Sequence, residues 1–188
     1  ILSLTDVYGN VTTGTGSVQV IAGDYKFRVS DGGYNRTEGT LTVSADAQVS
    51  ATLPYGEWFG NIRLLDADQE PYRAAQNRAN HTAQYWIEDT ANALSSVYLN
   101  AAMGNVPNTK TTKLRTIYTG TNGKDMSGIS RSWNSTATSL TYLLTSGMEG
   151  KTFALEAQYT GSDGYTQIQS YDVTVTRVPT LKALAATA

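Results

Sequence analysis

Residues 17–53, SVQVIAGDYKFRVSDGGYNRTEGTLTVSADAQVSATL, constrain the fold more than any other stretch. Tyr25, Phe27 and Val29 alternate with Lys26, Arg28 and Ser30. Leu41 and Val43 alternate with Thr42 and Ser44, and Val49, Ala51 and Leu53 alternate with Ser50 and Thr52. A period of two sends successive side chains to opposite faces of a strand. The stretch therefore predicts four short strands in a row, the first around Val18 and Val20. Antiparallel sheet suits the pattern, with one face packed and one face in water. Asp6-Val7-Tyr8-Gly9-Asn10, Ala22-Gly23-Asp24 and Asp31-Gly32-Gly33 supply turns between the runs.

The same periodicity returns in the second half. Phe153, Leu155, Ala157 and Tyr159 alternate with Ala154, Glu156 and Gln158, and Gly161-Ser162-Asp163-Gly164 separates them from a run over 165–176. This is the clearest hairpin beyond residue 110. Leu140, Tyr142 and Leu144 alternate, and Asn122-Gly123 is a hairpin turn pair. Gln84–Glu88 reads as a strand, and Ile62, Leu64 and Leu65 as another ending at Asp66. Seven or eight strands over about 125 residues suit an immunoglobulin-like sandwich. Two segments read differently. Glu70 to Ala79, with Pro71 near its start and good helix formers after it, predicts a short helix near 70–80. Residues 90–102 fit a helical turn nearly as well as a strand.

The chain has 188 residues, enough for one large β domain or two small ones. It has no cysteine, so its cores must hold without disulfides. Net charge is −2 with no basic run, which argues against nucleic acid as a partner. No apolar run reaches the length of a membrane span, so no membrane insertion is expected in this segment. The first residue is Ile1 rather than Met, and the simplest expectation is a piece excised from a longer chain. Val178-Pro179 followed by TLKALAATA reads as the end of one module and the start of another or a tail at 180–188.

One resemblance bears on residues 1–54. Gly23-Asp24-Tyr25-Lys26-Phe27-Arg28-Val29, then Gly33-Tyr34, then Gly39-Thr40-Leu41-Thr42-Val43 resemble the G-x-Y-x-F-x-V, GY and G-x-L-T-V elements of a PEGA or carboxypeptidase-regulatory-like module. The resemblance implies a small transthyretin-like β-sandwich of the kind found in bacterial surface and exported proteins, and it brings no catalytic residues. The full expectation is an all-β chain. Two β-sandwich domains stand in tandem, transthyretin-like over 1–54 and immunoglobulin-like over 55–179, with at most short helices near 70–80 and 90–102.

Chemistry-bearing residues are sparse. His81 is the one histidine, so a Ser-His-acid triad would have to use it. It lies in Asn80-His81-Thr82, which reads as an exposed loop or helix end. No Gly-x-Ser-x-Gly elbow accompanies it. Asp66, Asp68 and Glu70 sit at i, i+2 and i+4, a spacing that could wrap calcium, or could equally be an acidic turn ahead of a helix. Glu88 and Asp89 would point to opposite faces of a strand, which does not suit paired-carboxylate chemistry. Tyr55, Trp58 and Phe59 either plug a core or present a platform to a sugar ring. Trp133, flanked by polar residues only, is the best single candidate for such an exposed ring. A Lys–Asn isopeptide bond could draw on Lys113, Lys124 or Lys151. These features point to a non-enzymatic structural or adhesive segment of a modular bacterial cell-surface or secreted protein, extracellular or wall-associated. Its partners would be neighbouring domains of the same chain, and a glycan or host surface protein. The alternative is a carbohydrate-binding module beside an extracellular enzyme.

Overall fold

The computed structural model describes residues 1–66, 68, 70–88, 97–107, 112–117, 131–132, 139–143 and 149–178, and among the described residues every regular element is a β-strand. Thirteen strands are described: β1 (Leu2–Asp6), β2 (Val11–Gly14), β3 (Gly23–Ser30), β4 (Asn35–Val43), β5 (Phe59–Leu65), β6 (Arg73–Asn77), β7 (Thr82–Glu88), β8 (Tyr98–Met103), β9 (Lys113–Ile117), β10 (Arg131–Ser132), β11 (Ser139–Leu143), β12 (Thr152–Thr160) and β13 (Thr166–Val178). The all-β expectation holds. No described helix is long and apolar enough to cross a membrane.

The strands form two sheets. The larger has ten strands, with β10-β9-β12-β13-β4-β3-β1-β2 side by side and β7 and β6 attached through β13. The smaller is β11-β8-β5. Strict alternation builds the main core. Ala83, Tyr85 and Ile87 on β7, Phe153 and Leu155 on β12, and Tyr171, Val173 and Val175 on β13 are all buried. They pack with Trp58, Ile62, Leu64, Val97, Leu99 and Ala101 from the β5 and β8 region. A second cluster centres on Leu4, Tyr25 and Phe27, with half-buried aliphatics around it.

Turn chemistry explains the hairpins. Asp6 Oδ1 accepts from Tyr8 N and Asn10 N at 2.9 and 2.8 Å and closes the β1–β2 turn, with Gly9 at φ +88°. Asp31 Oδ1 accepts from Gly33 N at 2.7 Å in the β3–β4 turn, where Gly32 takes φ +88°. The β12–β13 hairpin pairs Thr152 with Thr174 through Thr160 with Thr166, as the alternation predicts.

Several expectations are corrected. Residues 73–77 are a strand, not a helix: β6 pairs antiparallel with β7, and the Gln76 side chain bonds Ile62 O and Tyr85 Oη. Helix propensity is a weak prior, and ladder and side-chain bonds outweigh it here. Of the segment 90–102, left open between strand and helical turn, residues 98–102 take the strand alternative in β8, paired with β5 and β11; 90–96 fall outside the described residues. Of the four strands expected in 17–53, the two around Tyr25 and Leu41 form. Residues 17–22 and 45–53 join no ladder, although Val18, Val20, Val49 and Ala51 pack on the small core. The strand that pairs with the outer edge of β1 is β2, which the sequence left unassigned.

Candidate functional site at the sheet branch

Midway along β13 the sheet changes partner. Thr166–Gln169 pair antiparallel with β4, whereas Asp172–Val178 pair in parallel with β7. His81, the residue before β7, fills the gap between the two ladders. Its backbone φ of +51° makes it the one non-glycine with positive φ among the described residues. Such a conformation costs on the order of 1 kcal/mol or more and persists where surroundings hold it.

The surroundings are specific. The His81 carbonyl accepts from Asp172 N at 2.8 Å. Its ring lies flat against Tyr34, with centroids 3.5 Å apart and planes 9° apart, and against Tyr171 on the other side at 4.8 Å and 23°. Phe59 meets the ring edge-on at 5.9 Å. Nδ1 lies 2.8 Å from Ser170 O, and Nε2 lies 2.7 Å from Glu57 Oε2. Aromatic pairs of this kind contribute about 0.5–1.5 kcal/mol each, enough together to offset the backbone strain. Contrary to the sequence expectation of an exposed loop or helix end, His81 is only 1% exposed. The turn Asn77–His81 folds inward because Asn80 N donates to Asn77 Oδ1 and Arg78 donates to Phe59 O and Gly60 O.

Two further polar contacts cross the branch. Gln169, fully buried, accepts from Trp58 N at 2.8 Å and donates to Asn35 Oδ1 and Gly56 O, both at 2.9 Å. Arg36 on β4 donates to Glu156 on β12 and to Glu38 Oε1 at 2.7 Å. Burial alone would depress the Arg36 guanidinium; the carboxylates of Glu156 and Glu38 outweigh it and raise its pKa. Gln158 Nε2 donates to the second Glu156 oxygen at 2.9 Å. The Tyr171 hydroxyl is pushed up by burial, with Arg78 opposing.

This cluster can hold a proton between His81 and Glu57, but both ring nitrogens are already taken. Ser170 Oγ donates to Tyr34 O rather than to the imidazole. A triad needs a ring nitrogen facing a hydroxyl nucleophile, and His81 presents none.

The other sequence candidates are scattered. Asp66 Oδ1 accepts from Asp68 N and Glu70 N at 2.9 and 3.0 Å, and Asp66 N donates to Glu70 O. The acidic triplet thus closes a turn around its own backbone. Among the described residues no three His, Cys, Asp or Glu side chains are grouped to hold a metal. Trp58 is 1% exposed in the main core and offers no ring to a ligand, whereas Tyr55 is 93% exposed. Trp133, Asp89 and Lys124 lie outside the described residues, and Lys151 is exposed. A cleft of about 1050 Å³ lies over the β1, β3 and β4 end of the larger sheet, between Leu41, Val43 and Val29 and the segments carrying Val18, Val20 and Val49. Sequence reading missed Glu57, Tyr34 and Tyr171 as partners of His81, since no spacing links positions 24 to 90 residues apart. No family model, curated protein or solved structure matches the chain.

Proposed function

We propose that this chain is a non-catalytic structural and adhesive segment of a modular bacterial cell-surface or secreted protein, set outside the cell or in its wall. In this reading residues 1–54 are a transthyretin-like module and 55–179 an immunoglobulin-like sandwich, with neighbouring domains of the same chain as first partners. The supporting observation is the position of β13. It is the longest described strand, and it is bonded to β12 along one flank and to β4 and then β7 along the other. Tension carried along β13 meets many ladder bonds at once, and its two flanks tie the N-terminal strands to the rest. That is the property a spacer needs. The chemistry around His81 fits the same role, because its polar groups are spent on one another across the joint.

Carbohydrate binding is the second reading, and the exposed ring of Tyr55 favours it. One experiment separates the two. The full chain is pulled between its termini by single-molecule force spectroscopy and offered in parallel to a glycan array and insoluble polysaccharides. A spacer resists extension and shows no saturable glycan binding. Saturable binding lost in Tyr55→Ala or Trp133→Ala replaces the spacer reading with the binding module.

A further inference from the structure

We propose that His81 is held as an imidazolium, and that this one proton fastens the segment before β5, which carries Glu57, to β13 and β7 at the sheet branch. The inference concerns the charge on one ring and does not depend on the spacer reading.

It follows from counting protons. A neutral imidazole has one N–H and one bare nitrogen. Here both nitrogens face acceptors: Nδ1 is 2.8 Å from the Ser170 carbonyl and Nε2 is 2.7 Å from a Glu57 carboxyl oxygen. Either neutral tautomer would turn a lone pair of this buried ring onto an oxygen under 3 Å away. The proton could instead sit on Glu57. Against that, the Glu57 side chain is 38% exposed and therefore hydrated, and its other oxygen accepts from Phe59 N at 2.8 Å. Hydration and a donated N–H both favour the carboxylate. The proton belongs on the ring, which then donates to both neighbours as half of an ion pair.

The rest of the site suits a cation. Tyr34, from the β3–β4 turn, and Tyr171, on β13, cover the two faces of the ring, and aromatic faces attract positive charge. Arg78, from the turn before β7, is the like charge nearby, and its guanidinium is committed to the carbonyls of Phe59 and Gly60. Asp172 follows Tyr171 on β13 and is exposed, on the other face of the strand. The strained backbone of His81 is the mark of a residue held for its side chain. The seated ring donates to both neighbours, so removing either acceptor works to unseat it. Unseating gives up the Tyr34 stack and frees the His81 carbonyl from Asp172 N.

Because the chain has a single histidine, its ring nitrogens give unambiguous NMR signals. The full chain, ¹⁵N-labelled at histidine, is measured near pH 8, where a free imidazole is neutral. The expected wild-type spectrum has two protonated ring nitrogens. Glu57→Gln, with its amide spectrum still dispersed, is expected to lose one ring N–H. Its Asp172 amide is expected to exchange about tenfold faster at the same pH, reporting a looser joint. One protonated and one bare nitrogen in the wild type overturn the charge assignment. An imidazolium unchanged in Glu57→Gln, or an Asp172 amide that exchanges no faster, overturns the role of the pair. If the variant fails to fold, the wild-type spectrum alone still decides the charge.

Discussion

Arg36 reaches from β4 into the interior and meets Glu156, a residue 120 positions away and only 3% exposed. A buried ion pair contributes little net stability compared with apolar groups of the same size, but breaking it from one side removes charge-assisted bonds with which the other partner was buried. Arg36→Met is therefore expected to destabilise the chain by about 3 kcal/mol, read from the urea midpoint at constant slope. Adding Glu156→Leu should recover most of that loss, and a double variant no more stable than the single one would sink the argument. Gly39 is the second sensitive position. A Cβ there would stand 2.6 Å from Phe27 and 2.7 Å from Tyr165, whose rings meet edge-to-face with centroids 4.9 Å apart. Gly39→Ala forces that pair apart and is expected to cost about 1–3 kcal/mol by overpacking. A neutral Gly39→Ala in thermal unfolding would show that the aromatic pair gives way freely.

At the scale of strands and turns, the two N-terminal hairpins carry an acid sensitivity of their own. The Asp6 carboxyl is held below the usual range first by the Asn10 side chain; desolvation opposes this, and the backbone N–H groups of Asn10, Tyr8 and Gly9 add to the lowering. Burial would raise Asp31, but bonds from the Asn35 side chain and Gly33 N outweigh it and lower it. A carboxyl lowered in the folded state stabilises it above the unfolded value near 3.9, and that stabilisation fades as the pH falls through the lowered value. Acid should thus loosen β1–β2 and β3–β4, and Asp6→Asn with Asp31→Asn should flatten the acid limb of the stability curve. An unchanged acid limb in the double variant would show that the turns do not titrate with folding. These turns were legible because each is local: Asp, Gly and Asn within five residues. So was the β12–β13 hairpin, whose strands lie either side of a four-residue turn. Strand β6 was not, since EPYRAAQNRA is a good helix sequence and what holds it extended is non-local: the β7 ladder, Gln76 reaching Ile62 and Tyr85, and Arg73 over the Trp86 ring. Val18, Val20, Val49 and Ala51 show the opposite limit: alternation told which side chains face the core, but not whether a hydrogen-bonding neighbour would be there. The candidate site was the least legible part. Glu156 sits in an alternating run where it reads as the outward residue, and nothing local announces that Arg36 will cover it.

Across the whole molecule the question is whether residues 1–54 open with the rest or before it. Each part has its own apolar cluster, and the smaller one has three buried residues, Leu4, Tyr25 and Phe27. So few buried side chains, ringed by half-buried aliphatics, give that part little stability alone. It borrows the remainder from the joint: four residue pairs between β4 and β13, the Arg36–Glu156 pair, the Gln169 bonds, the His81 stack and the Phe27–Tyr165 contact. With the joint intact, amides in β3 should exchange with the same opening free energy as amides in β12, because neither part opens without the other. Arg36→Met removes one tie without touching either core, so β3 should then exchange well before β12. If the wild-type protein already shows β3 opening at much lower free energy, the N-terminal strands fold as an independent module that merely leans on β13. If instead the variant lowers both sets equally, the ladder alone couples the two parts, and the buried charges serve only to fill the joint.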